Sequence, residues 1–210
     1  MKLELKTGWR QKISVPGKAV HFDTNGSALT TTGIGFLDKL KFRVVARATA
    51  SGVLFGGRKC FKHEMEIYPD GFCVKGYCER ELAAIGSWAE YGLEVDIPRG
   101  HIIWYHNGEP YEFPLPEEFQ GTTVWIDGYF INTDITYAHI CPPALEASID
   151  LIIVESGNRL VDVFNIEEGA GDLIYSAVSY RYLRLYGNYT WTDGKPLPPQ
   201  LYQKFEIKEV

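Results

Sequence analysis

Length, composition and net charge narrow the class of protein before any motif is considered. The 210 residues, 45% of them hydrophobic, suffice for one globular core and argue against a disordered or fibrous protein. A net charge of −6 without a basic run disfavours a nucleic-acid partner, and 14% aromatic residues with 21 glycines favour β-structure. The sequence contains neither a signal-like apolar segment nor a membrane-spanning one, so we expect a soluble protein made in a cytoplasm, without membrane insertion.

The first clear element is a strand between residues 39 and 47, where charged and apolar side chains alternate. Successive side chains of a strand point to opposite faces of its sheet. The pattern therefore predicts that Phe42 and Val44 are buried, whereas Lys41 and Arg43 face water.

Turn residues then separate a series of short apolar segments. Gly56–Gly57 predicts a turn or a bulge, and Pro69–Gly71 and Asn107–Gly108 predict hairpin turns, because these residues tolerate the backbone angles that such turns require. Glu79–Ile85 collects good helix formers before a glycine and predicts one short helical turn.

The second half of the chain continues this pattern. Residues 122–130 and 159–164 predict strands, and residues 149–154 predict a central, largely buried strand. Pro110–Pro116 and Pro196–Pro199 cannot form central strands because proline lacks the donor for the ladder, so we expect loops or arms outside the sheets. At least ten strands are predicted in all, within one domain that spans residues 1–210.

The four cysteines fit neither a zinc motif nor a dense disulfide framework. They are Cys60, Cys73, Cys78 and Cys141. The simplest interpretation is free, mostly buried thiols, because unpaired cysteine behaves as a small apolar residue. A Cys60–Cys73 or a Cys73–Cys78 bridge remains open for an oxidising medium.

From about His21 to Trp191 the order of elements resembles the laminin-G-like branch of the concanavalin A-like lectin/glucanase superfamily. The resemblance is carried by residues 20–29, by the sequence of strands and turns that follows, and by residues 162–194, which are similar to the closing segment of bacteriophage and gut-bacterial members. It implies an all-β, two-sheet antiparallel jelly-roll sandwich of about residues 20–194, with extensions at 1–16 and 196–210.

The resemblance also raises the question of catalysis, since jelly-roll glucanases place paired glutamates on one strand face. Glu64 and Glu66 share a face, but no acid stands at the third acidic position of the glucanase motif. A solvated strand face is the simpler interpretation of this pair. Because the histidines form no metal-binding pattern and no nucleophile motif is present, we expect neither an enzyme nor a metal site.

Laminin-G-like domains often hold calcium, which the resemblance would extend to aspartates near the predicted turns. Asp127, Asp134 and Asp162 are the candidates. Turns favour aspartate for local hydrogen bonding in any case, so no cofactor is predicted.

Sugar sites on β-sandwiches combine an aromatic surface with a few polar groups, and the tryptophans supply candidates for that surface. Trp104 and Trp125 lie within strand patterns and are expected in the core. Trp88 lies in a glycine-rich, turn-like segment with Tyr91 beside it, and these two residues are the predicted glycan-binding site.

The predicted function is therefore a non-catalytic binding or structural module. The resemblance favours a phage virion component, such as a capsid decoration, head fibre or tail protein, with recognition of a host-surface glycan. The extensions at 1–16 and 196–210 predict strand addition to other virion proteins or to a homo-oligomer, with localisation to the virion. The alternatives are a jelly-roll glycoside hydrolase and a free carbohydrate-binding lectin.

Overall fold

The computed structural model describes residues 18–30, 32–59, 62–132, 145–166 and 169–194. Within these ranges the first nine strands are β1 (Lys18–Phe22), β2 (Ser27–Leu29), β3 (Gly35–Leu37), β4 (Lys39–Ala50), β5 (Phe55–Lys59), β6 (Lys62–Tyr68), β7 (Gly71–Val74), β8 (Tyr77–Glu79) and β9 (Trp88–Asp96). The next nine are β10 (His101–His106), β11 (Glu109–Pro114), β12 (Val124–Ile126), β13 (Gly128–Ile131), β14 (Glu146–Ser156), β15 (Arg159–Asn165), β16 (Leu173–Tyr175), β17 (Tyr182–Tyr186) and β18 (Tyr189–Asp193). A 3-10 turn, Glu117–Phe119, is the one helical element in this part of the chain. No helix among the described residues is long and apolar enough to cross a membrane.

The strands form two large antiparallel sheets that pack face to face. Sheet A has the order β11-β10-β9-β4-β14-β1-β18, and β15 also pairs with β14; sheet B has the order β16-β17-β2-β13-β5-β6-β7-β8. A small third sheet joins β12 to β3. This architecture confirms the predicted all-β, two-sheet sandwich, and β14 occupies the centre of sheet A as predicted.

One apolar core fills the space between sheets A and B. The ring of Phe42 on sheet A lies 5.0 Å from that of Phe55 and 6.2 Å from that of Tyr129, both on sheet B. Phe164 of β15 also packs against Tyr129, at 6.1 Å between ring centroids. Edge-to-face contacts of this kind add to the stabilisation that burial of the rings already provides.

The predicted hairpin turns are present where the sequence placed them. Asn107 and Gly108 connect β10 to β11 with φ of 53° and 88°, which a turn of this kind requires at both positions. Gly56–Gly57 lies within β5, and the pairing of β5 with β6 shifts register just after Gly57, so the predicted bulge is confirmed.

Two predicted elements are wrong. Glu79–Ile85 forms no helical turn: Glu81 has a φ of 64°, and the Leu82 amide donates to the Asp70 carbonyl instead of to a carbonyl four residues earlier. Pro110–Pro116 is not a loop along its length, because residues up to Pro114 form β11. This strand is the edge of sheet A, where a missing amide donor costs no ladder hydrogen bond.

The outer face of sheet A is less solvated than the alternating pattern predicted. Arg43 is only 7% exposed, and its guanidinium lies 3.1 Å from Glu155 and 3.6 Å from Glu90. Lys41 lies 3.8 Å above the ring of Tyr105. The expectation that both cations simply face water is therefore wrong, because acids on neighbouring strands and an aromatic ring occupy their surroundings.

Cys73 and Cys78 form a disulfide bridge that joins opposite residues of β7 and β8. The interpretation of all four cysteines as free thiols is wrong for this pair, and one of the two open alternatives is realised. Cys60 and Cys141 lie outside the described residues, as do the predicted extensions at 1–16 and 196–210.

Candidate functional site

The most prominent solvent-facing feature is a group of aromatic residues on the β16–β17 hairpin. Among the described residues, eight large apolar or aromatic side chains are exposed, and five of these lie between residues 175 and 186. We define the tyrosine face as Tyr175, Tyr180, Tyr182, Arg184 and Tyr186. Aromatic surface on this scale normally packs inside a protein or against a ligand, so its concentration on one hairpin indicates a binding surface.

The two-residue period of β17 produces this face. Leu183 and Leu185 point inward and are buried in the core, so the residues between and beside them must point outward. Tyr182 and Tyr186 therefore lie on one surface, separated by about 13 Å at about 3.3 Å per residue. Tyr175 of β16 is paired with Tyr182 in the ladder, and their ring centroids are 6.0 Å apart.

The loop that joins β16 to β17 is anchored by a buried carboxylate. Asp162 of β15 is fully buried and accepts hydrogen bonds from the Tyr129 hydroxyl at 2.8 Å, from Arg181 at 3.1 Å and from the Ser179 hydroxyl. Arg181 also donates to the Gly33 carbonyl, at 2.9 Å and 3.2 Å. The loop that carries Tyr180 is thus tied directly to two other segments of the chain and, through Asp162, to Tyr129 of β13.

The Tyr129 hydroxyl is suited to this role because it stays protonated. Burial, together with the neighbouring charge of Asp162, raises the pKa of Tyr129 far above its ordinary value. A phenol that retains its proton donates to the carboxylate without adding a second negative charge.

A second set of contacts holds the start of the hairpin. The Gly171 carbonyl accepts from the indole of Trp191 at 3.1 Å and from the hydroxyl of Tyr189 at 3.3 Å, so β18 of sheet A holds the segment that leads into β16. The Leu185 amide donates to the Asp172 carbonyl at 2.8 Å. The tyrosine face is therefore fixed at both of its ends before any ligand arrives.

Three of the tyrosine hydroxyls and the Arg184 guanidinium are available to a ligand. The hydroxyls of Tyr180, Tyr182 and Tyr186 make no hydrogen bond to the rest of the protein, within the ranges that the structure describes. Arg184 is half exposed and lies 3.8 Å from Asp172, a loose surface contact that leaves most of its donors free. The face can accordingly combine stacking on aromatic rings with hydrogen bonds at their edges.

The predicted glycan-binding pair does not form such a surface. Tyr91 is fully buried in the core, where burial raises its pKa to about 12, so its role in a glycan site is a wrong prediction. Trp88 begins strand β9 and is not in a loop. Its indole is half-buried against an apolar cluster on the outer face of sheet A that includes Val45 and Ile153.

Of the two tryptophans predicted to lie in the core, one does and the other does not. Trp104 is fully buried in the core, as expected. Trp125 is only partly buried, and Lys59 lies 4.8 Å above its ring. A position within a strand was therefore not enough to place this indole in the core.

Glu64 and Glu66 lie on the outer face of sheet B but are not solvated, with exposures of 9% and 7%. Glu66 contacts the His63 imidazole at 2.6 Å and accepts from the Tyr68 hydroxyl at 3.3 Å. Burial raises the pKa of Glu64, whose nearest cation, Lys75, is 3.9 Å away. The predicted solvated face is wrong, because neighbouring side chains enclose both carboxylates.

Of the three aspartates considered for calcium, Asp127 and Asp162 lie among the described residues. Both oxygens of Asp162 are occupied by the hydrogen bonds that anchor the hairpin loop. Asp134 lies outside the described residues. Across the described ranges, no group of three or more histidine, cysteine, aspartate or glutamate residues could hold a metal ion.

Comparison with solved structures supports the two-sheet fold. A Bacteroides ovatus protein for which carbohydrate binding has been proposed is 14% identical, with a TM-score of 0.62 over 85% of this chain and 60% of that one. A heptameric SAP-like pentraxin from Limulus polyphemus is 10% identical, with a TM-score of 0.60 over 85% of this chain and 96% of that one. The chain therefore shares a jelly-roll sandwich with both proteins.

These similarities show the fold but not the function, since both sequence identities are far below those at which function is shared. This chain spans 60% of the length of the Bacteroides protein. No protein-family model and no curated protein matches the sequence.

Sequence reasoning missed the tyrosine face, although a signal for it was present. Residues 180–186 read Tyr-Arg-Tyr-Leu-Arg-Leu-Tyr, a strict alternation in which the two leucines share one face and the last two tyrosines share the other. The pattern identifies two faces, but both are apolar enough to be the buried one. The choice between them depends on which face meets sheet A.

Proposed function

We propose that the chain is a non-catalytic carbohydrate-binding module and that the tyrosine face is its glycan-binding surface. The observation that carries this proposal is the set of four exposed tyrosines held on one anchored hairpin. The apolar side of a sugar ring stacks on aromatic rings, while phenol hydroxyls and a guanidinium offer hydrogen bonds to sugar hydroxyls.

The shape of the surface favours an extended polysaccharide over a single sugar. Tyr182 and Tyr186 lie about 13 Å apart along one strand, and Tyr175 widens the surface sideways through its pairing with Tyr182. A ligand that covers this surface spans several sugar rings. Each ring adds a modest stacking contribution, so affinity is expected to rise with chain length.

Preorganisation supports the same assignment. Binding to a mobile loop would cost the free energy needed to order it. Asp162 and Gly171 hold the hairpin from opposite ends, so the rings need little rearrangement to meet a ligand. The described residues of the face include no pair of carboxylates, which is why binding and not hydrolysis is proposed.

Fold likeness to a protein for which carbohydrate binding has been proposed agrees with this function. Association with a phage virion, homo-oligomerisation through the extensions and recognition of a host-surface glycan stay predictions from the sequence. The same holds for the virion localisation and for other virion proteins as partners.

The test is electrophoresis of the protein through gels that contain soluble polysaccharides of different backbones, compared with a gel that contains none. We expect at least one polysaccharide to retard the wild-type protein and Tyr182→Ala to weaken this binding about tenfold, which corresponds to about 1.4 kcal/mol. Tyr182→Phe should retain most of the binding, because it keeps the ring.

Tyr111→Ala is the matched control. Tyr111 is 40% exposed, close to the 41% of Tyr182, but it lies on β11 at the far edge of sheet A. Its ring contacts Trp104 at 5.3 Å, so thermal unfolding of both variants must be compared first. If Tyr111→Ala weakens binding as much as Tyr182→Ala does, or if no polysaccharide retards the protein, the tyrosine face is not a glycan site.

A further inference from the structure

A second surface feature lies at one end of the sandwich, away from the tyrosine face. The turn after β9, the end of β11 and the segment at 120–123 enclose an open cleft of about 630 Å³. This volume is in the range of sites that hold small molecules. Its polar lining consists of Asp38, Arg99, His101, Gln120, Thr122 and Thr123.

Several of these side chains have no partner within the protein. Asp38, His101, Gln120 and Thr123 are exposed, and their side chains make no hydrogen bond or ion pair that involves the described residues. The guanidinium of Arg99 is 76% exposed, and within the described part of the chain it touches only the Asp96 carboxylate, at 3.7 Å. Free donors and free acceptors thus converge on one cleft.

The walls that carry these groups are fixed by backbone hydrogen bonds. The Ile97 amide donates to the Asp38 carbonyl at 2.9 Å, and the Leu115 amide donates to the Gly100 carbonyl at 2.7 Å. On the opposite wall, the ammonium of Lys75 donates to the Thr122 hydroxyl at 2.9 Å and to the Thr123 carbonyl at 3.0 Å. The cleft therefore exists without a ligand, which lowers the cost of filling it.

The chemistry of the lining selects the ligand class. An anion would face the unpaired carboxylate of Asp38, and a cation would face the guanidinium of Arg99, so neither suits the whole cleft. A carboxylate accepts, a guanidinium donates, and amide and hydroxyl groups do both. Neighbouring hydroxyl groups of a sugar also donate and accept, and they match this mixture.

We infer that the cleft is a second binding site that takes a neutral, polyhydroxylated ligand of monosaccharide or disaccharide size. Asp38 accepts and Arg99 donates hydrogen bonds to adjacent hydroxyls, while His101 and Gln120 contact the opposite side of the ring. Ile97, Pro98 and Pro114 supply the apolar part of the lining for the carbon-bound hydrogens.

This site does not rest on the tyrosine face, because the two lie at opposite edges of the sandwich. The cleft is lined by the turn between β9 and β10, the start of β10 and the end of β11, at one edge of sheet A. The tyrosine face lies on β16 and β17 at one edge of sheet B, and β16 contacts β15, which pairs with β14 on the other side of sheet A. A change at one surface should leave the other unaffected.

The test uses the imidazole of His101 as a reporter in proton NMR. Its ring resonance is assigned as the histidine signal that His101→Gln removes. The wild-type protein is then titrated separately with the methyl glycosides of glucose, galactose, mannose and N-acetylglucosamine, and with sodium sulfate as an anion probe. We expect at least one glycoside to shift the His101 resonance with saturation.

Variants then distinguish a specific binding site from weak, nonspecific contact with the surface. Asp38→Ala and Gln120→Ala should each raise the dissociation constant at least fivefold, whereas Tyr182→Ala should leave it unchanged. Glu146→Ala is the matched control, because Glu146 is an exposed acid on β14 whose side chain has no partner among the described residues. Its removal should also have no effect.

Three outcomes would overturn the inference. The first is that no glycoside of the panel shifts the His101 resonance. The second is that Asp38→Ala and Gln120→Ala bind as the wild-type protein does. The third is that sulfate alone shifts the resonance and Asp38→Ala strengthens that effect, which would mark the cleft as an anion site. Retardation in polysaccharide gels would be unaffected by any of these results.

Discussion

Replacing Asp162 with alanine is expected to destabilise the protein and to loosen the hairpin that carries the tyrosine face. The buried carboxylate accepts from Tyr129, Ser179 and Arg181, and its removal leaves the Tyr129 hydroxyl without its partner in the core. Removing one partner of a buried ion pair costs about 3–5 kcal/mol. Arg181 is 21% exposed and can regain some hydration, so we expect about 3 kcal/mol.

Thermal unfolding and hydrogen exchange measure the two parts of this effect. In a domain of this size about 3 kcal/mol lowers Tm by about 6–12 °C. The Ala177 amide, which donates to the Val163 carbonyl at 2.7 Å, should exchange faster in the variant even well below Tm. The variant should bind more weakly to any polysaccharide that retards the wild-type protein, because its hairpin must be ordered on binding.

Asp172→Ala is the control for this prediction. Asp172 also lies beside an arginine of the hairpin, Arg184, but both side chains are about half exposed and 3.8 Å apart. Such surface pairs contribute about 0.5 kcal/mol, so Tm should hardly change. If Asp162→Ala unfolds within about 2 °C of the wild-type protein, as the control should, then the buried carboxylate does not anchor the loop and the argument for preorganisation fails.

Three further predictions concern stability. Burial raises the pKa of Glu64 above 4.5, so the wild-type protein should lose stability relative to Glu64→Gln as the pH rises through that raised pKa. Urea unfolding at a series of pH values should show a difference in the free energy of unfolding that grows above pH 4.5. A difference that stays constant with pH would contradict the shift. Reduction of the Cys73–Cys78 bridge should lower the free energy of unfolding by about 2 kcal/mol, whereas the double serine variant should not respond to reductant. Gly56→Ala would place a Cβ 2.4 Å from the ring of Phe130 and should cost about 1–3 kcal/mol in urea unfolding; a wild-type midpoint would show that the ring moves aside freely.

Much of the strand pattern follows from local sequence, but exposure of individual side chains does not. Phe42 and Arg43 are neighbours in a clear alternation, and the buried position of Phe42 was predicted. Arg43 is almost as buried, because acids on β9 and β14 cover it. Those acids are distant in sequence, and only the pairing of three strands brings them to the same place.

At the candidate site, too, local sequence predicts the strands but not which side chains are exposed. Tyr91 and Tyr182 are both tyrosines in strands, yet Tyr91 is fully buried and Tyr182 is 41% exposed. Local pattern identifies which residues share a face but not which face meets the other sheet. The anchor of the hairpin loop joins Asp162, Arg181 and Gly33 from three separated segments, and no spacing in the sequence predicts that contact.

The sequence by itself determined the all-β class, the turn at Asn107–Gly108 and the alternation within β4 and β17. These features depend on backbone angles and on a two-residue period, which act over a few neighbouring residues. Only the tertiary structure decided which aromatic residues face solvent and which loop side chains meet at one cleft. The reason is physical: burial depends on the sheet that covers a face, and that sheet is built from distant parts of the chain.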